Sequence, residues 1–123
     1  MKFKALGLAG ISVVMCAIPA LAHHSFAMFD GNRTMTIEGT VKEFTWTNPH
    51  AWIVMMVSDA QGQPQQWALE LPAPGNLAGR GWLPKSLTPG MKVSAVIHPL
   101  KNGGPGGSCL TVTLPDGTVL KGP

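Results

Sequence analysis

The stretch TIEGTVKEFTWT, Thr36 to Thr47, decides the fold. Its β-branched and aromatic residues suit a strand. Ile37, Gly39 and Val41 share one parity, but Phe44 and Trp46 fall on the other. Strand side chains alternate faces, so one added residue carries the apolar set across; the phase change predicts a β-bulge within this strand.

Downstream, Ala51 to Val57 (AWIVMMV) is a continuous apolar run, which predicts a central strand covered on both faces. Ser58 to Pro64 (SDAQGQP) is turn chemistry. Gln66 to Leu71 alternates, with Trp67, Leu69 and Leu71 expected inward and Gln66, Ala68 and Glu70 outward, so Glu70 is expected to face solvent. Pro72 to Pro74 ends that strand. Gly75 to Arg80 predicts a short helix, closed by Gly81 with Trp82 packing back on the core.

Pro89-Gly90 fits a type II turn leading into a strand from Met91 to His98, with Met91, Val93, Ala95 and Ile97 on one face. Lys101 to Ser108 (KNGGPGGS) reads as a flexible loop. Cys109 to Leu114 is the fifth strand, with Leu110, Val112 and Leu114 expected inward. Asp116-Gly117 then turns into a short edge segment, Thr118 to Leu120. The expected fold is all-β: a five-stranded OB-like barrel with one short helix between strands 3 and 4. A plain β-sandwich accounts for neither the bulge nor the helix.

Upstream, residues 1–22 have the form of a secretion signal. Lys2 and Lys4 precede an apolar run from Ala5 to Ile18, and Pro19 is followed by Ala20-Leu21-Ala22, a small-x-small cleavage site. The run is shorter than the ~20 residues of a spanning helix. Met15 before Cys16 does not fit a lipoprotein signal. Cleavage after Ala22 leaves 23–123 as a single domain with an extended N-terminal segment 23–35, placed in the periplasm or secreted with no stable membrane anchor. It also removes Cys16, so Cys109 cannot form an internal disulfide; a small core side chain is its simplest role.

Composition narrows function further. The chain has 123 residues and a net charge of +3, but two of its nine Lys and Arg lie in the signal, leaving seven against six acidic groups. No basic patch for nucleic acid follows from that balance. Only 12% of residues are charged and 45% are hydrophobic, which supports a packed core rather than disorder.

Four motifs carry a family resemblance: AHHSF at Ala22 to Phe26, WTNPHAW at Trp46 to Trp52, WALEL followed by RGW at Arg80 to Trp82, and LTPG at Leu87 to Gly90. Together they resemble Domain of Unknown Function 6152, a family of small exported bacterial proteins. The resemblance implies a periplasmic β-barrel domain and no established activity.

The strongest chemical candidate is the new terminus. Cleavage exposes an α-amine on His23, and that amine and the His23 imidazole chelate one ion through a small ring. A second imidazole, from His50 or His24, completes a three-nitrogen site suited to Cu(II). Neighbouring side chains on an extended segment point apart, which favours His50 over His24. His50 follows Asn48-Pro49, a turn that projects it from the barrel end. In the bland reading it makes one ordinary hydrogen bond, and His23 and His24 belong to a frayed terminus.

Met35, Met55, Met56 and Met91 read as core filling rather than soft copper ligands; Met28 lies closer to His23. Trp46, Trp52, Trp67 and Trp82 read as core and pocket wall. Catalytic motifs are not apparent, and an enzymatic role is left open. Two readings stand: a periplasmic metal-binding protein, copper bound by His23 with His50 or His24, its partner a metal-handling or redox protein; or a metal-independent ligand- or protein-binding module using Trp46, Asn48 and Trp52.

Overall fold

The computed structural model describes residues 26–123. The expected signal segment 1–22, with Cys16, and both His23 and His24 lie outside the described residues. β1 (Met35–Thr45), β2 (Trp52–Ser58) and β3 (Pro64–Glu70) form an antiparallel meander. A short helix α1 (Pro74–Ala78) follows, then β4 (Lys92–Pro99), β5 (Gly106–Thr113) and β6 (Val119–Lys121). The sheet order is β3-β2-β1-β4-β5-β6, and a parallel β3–β5 pairing closes the first five strands into a barrel. β6 pairs only with β5 and stands outside the ring. The fold is the OB-like barrel that the strand pattern implies.

The bulge in β1 falls where the parity changes. Val41 pairs with Met55 and Glu43 with Val54, so Lys42 is the added residue. Val41 is buried before it, and Phe44, opposite buried Ile53, packs on the core after it. Gly39 allows the strands to come close here: a Cβ would lie 2.3 Å from the Met56 carbonyl oxygen. The turn at Pro89-Gly90 also forms, with Gly90 at φ 92° and the Met91 N–H donating to Thr88 O at 3.2 Å. α1 ends as expected, the Trp82 N–H returning to Leu77 O at 3.0 Å. Trp82 is fully buried and donates from Nε1 to Lys121 O at 2.8 Å.

Three expectations need correction. β2 is not covered on both faces: Ile53 and Met55 are buried, but Val54 and Met56 on the outer side are only half-buried. On β5 the inward residue before Val112 is Cys109, not Leu110, which is half-buried; Val112 is buried and Leu114 packs against the core, as expected. The cause is a second bulge. Ile97 pairs with Cys109 and Val96 with Thr111, leaving Leu110 as the extra residue.

Finally, the Gly-rich segment is a loop only as far as Pro105. Gly106 to Ser108 form the barrel seam, paired with Ala68 to Glu70. A Cβ on Gly107 would meet His98 O at 2.6 Å and the Ile97 side chain at 2.8 Å, so this close approach requires glycine.

Cys109 sits inside this core as a free, buried thiol. Burial pushes its pKa up to about 12, because the apolar surroundings disfavour a thiolate. A thiol reagent such as Ellman's reagent is expected to leave Cys109 untouched in the folded protein near neutral pH and to react fully in denaturant; rapid labelling under native conditions would contradict its placement. Among the described residues no helix is long and apolar enough to cross a membrane.

Candidate functional site

The β2–β3 hairpin builds the site. The strands pair symmetrically about the turn, so Ser58 faces Pro64 and Trp52 faces Glu70. Asp59 shapes that turn, its Oδ1 accepting from the Gln61 and Gln63 N–H groups at 2.9 and 2.8 Å. Pairing continues beyond the strand ends: the Leu71 N–H donates to Ala51 O at 2.9 Å and the Ala51 N–H to Pro72 O at 3.2 Å. His50 is thereby set diagonally across from Glu70 on the outer face, within side-chain reach. The Asn48-Pro49 peptide before it is cis.

His50 Nδ1 lies 2.6 Å from Glu70 Oε1. Glu70 is only 2% exposed, which corrects the expectation that it faces solvent. Its parity is outward as the alternation implies, but this part of the outer face is covered. Phe26, Leu71, Pro72 and Ala73 surround the pair in a cavity of about 270 Å³, to which Asn76 and Ser108 add polar groups. The second carboxylate oxygen, Glu70 Oε2, is buried with no hydrogen-bond partner among the described residues. Phe26 opens a 3₁₀ turn, Phe26–Met28, and its ring centroid is 6.4 Å from that of His50.

The other candidate residues are dispersed. Trp46 packs edge-on against Phe44, with centroids 5.8 Å apart. Asn48 is exposed, and Trp52 is half-buried at the start of β2. None of these three lines the cavity beside His50. Met55 is core, Met35 and Met91 pack against the core in part, and Met28 is exposed.

His98, on β4, lies in the same outer row as Ser108 and Glu70, and its Nδ1 is 2.7 Å from Arg33 O. Among the described residues no three His, Cys, Asp or Glu side chains gather as a metal-holding group.

What the arrangement offers chemically is an oriented imidazole. With Nδ1 held 2.6 Å from Glu70 Oε1, the tautomer of a neutral His50 protonated on Nδ1 would carry its lone pair on Nε2. The fold and motifs describe a small β-barrel with one histidine–carboxylate pair in an apolar cleft. The chain belongs to the family of unknown function DUF6152, whose model matches residues 10–109. Neither a curated protein nor a solved structure matches it.

Proposed function

We propose that the protein is an exported, periplasmic copper-binding protein, in which the α-amine and imidazole of His23 act with His50 on one Cu(II) ion. The observation that carries this reading is the Phe26–His50 contact. Phe26 is three residues after His23, a chain length of at most about 10 Å when fully extended. A chain cleaved after Ala22 therefore begins within reach of the His50 imidazole. The Glu70 contact supports the same reading, since metal-binding histidines commonly donate their other ring N–H to a carboxylate that fixes the tautomer and ring direction.

His24 is the alternative second imidazole. A metal-handling or redox protein is the partner that such a carrier implies.

Protein recovered from the periplasm is expected to start at His23 by intact mass and to take up one equivalent of Cu(II). In Glu70→Gln the isosteric amide orients His50 less firmly, and affinity is expected to fall by roughly 10- to 100-fold, the range seen for such supporting groups. An unchanged Cu(II) affinity in Glu70→Gln would remove Glu70 from the site. Failure of the wild-type protein to bind Cu(II) would overturn the metal reading itself.

The cavity favours a second reading, a metal-independent ligand module. Its binding surface is then the His50–Glu70 cleft rather than Trp46, Asn48 and Trp52.

A further inference from the structure

A carboxylate oxygen withdrawn from water without a donor is costly, and among the described residues Glu70 Oε2 is such an atom. The cleft that Glu70 lines is otherwise mainly apolar, and Phe26 at its edge remains 66% exposed. An anionic acceptor against hydrocarbon walls calls for a ligand with a cationic head and an apolar body.

The kind of cation follows from the contacts. A guanidinium pairs best with both oxygens of a carboxylate, but Oε1 is already engaged by His50 Nδ1 at 2.6 Å. A hard metal ion needs several oxygen ligands, whereas the rest of the lining is largely Leu71, Pro72, Ala73 and Phe26. A primary ammonium is a compact donor that one oxygen can hold, and an aromatic ring such as Phe26 attracts it further.

We propose that the cavity beside Glu70 binds a small organic primary ammonium ion, its head on Glu70 Oε2 and its hydrocarbon body against Phe26, Leu71 and Pro72. This site rests on the metal-independent reading of the His50–Glu70 cleft; it shares Glu70 and Phe26 with the copper reading but requires no metal.

The test uses the protein beginning at His23, in EDTA, titrated with benzylammonium chloride and followed by amide chemical shifts. Benzyl alcohol supplies the same ring without charge, and phenylacetate reverses the charge. Benzylammonium is expected to shift the amides around His50, Glu70, Leu71 and Ser108 saturably. It is expected to bind on the order of tenfold more tightly than benzyl alcohol, with phenylacetate weakest, as a charge-assisted contact implies.

Glu70→Gln is expected to reduce benzylammonium to the level of the alcohol while leaving amides remote from the cleft in place. The ligand comparison on wild-type protein stands even if that variant does not fold. No saturable shift with benzylammonium, equal binding of the alcohol, or undiminished binding by a folded Glu70→Gln variant would overturn the site. Because EDTA is present throughout, none of these outcomes bears on copper.

Discussion

Trp82→Ala is expected to lower the unfolding free energy by about 3–5 kcal/mol, the usual cost of truncating a large buried aromatic. Trp82 is fully buried and joins the helix and β6 to the barrel. Its backbone N–H closes α1 on Leu77, its ring lies 5.9 Å from Phe44 just beyond the bulge, and its indole N–H holds Lys121 of β6.

At roughly 4–8 °C per kcal/mol for a domain of this size, the loss is a fall of tens of degrees in melting temperature. Trp82→Phe keeps most of the packing and forfeits the Lys121 contact, so it should lose distinctly less. Equal melting temperatures for wild type and Trp82→Ala would show that Trp82 does not join these elements.

The second large effect concerns copper. One extra residue before His23 keeps every imidazole but moves the α-amine away, breaking the two-point chelate on which the proposal rests. A chelate lost is worth far more than a contact weakened, because the second donor then binds at ordinary rather than intramolecular effective concentration. Cu(II) affinity of the extended chain is expected to fall by two orders of magnitude or more, within the roughly 10²–10⁴-fold gain that such linkage confers. Affinity should also decline as pH falls, since protons compete for the same nitrogen lone pairs. A competition titration against a chelator of known affinity measures both effects; equal affinity of the extended and processed chains would place the ion elsewhere.

The first half of the barrel was readable from residue parity. The β1 bulge follows from Val41 and Phe44 lying on opposite parities, a signal that survives because polar residues separate the two apolar sets. The bulge at Leu110 leaves no such mark: Cys109 and Leu110 are adjacent and both apolar, so the alternation cannot say which turns inward. Gly106 and Gly107 read as loop because glycine is a turn residue, whereas here it lets strands approach.

His50 was found through its turn, but Glu70 was missed. Alternation assigned it the outer face correctly and could not show that Phe26 and the loop after β1 cover that face. A signal for the pair existed in the hairpin. A turn centred on Gln61 pairs Trp52 with Glu70, and that pairing sets His50 diagonally beside the carboxylate.

The central claim is that His50 and the processed terminus hold the same copper ion. The most direct measurement is pulsed electron paramagnetic resonance of the stoichiometric Cu(II) complex of the protein starting at His23, compared with His50→Ala. Two coupled imidazoles are expected in the wild type and one in His50→Ala, with the extended chain losing the amine coupling. An identical imidazole count in wild type and His50→Ala would contradict the account.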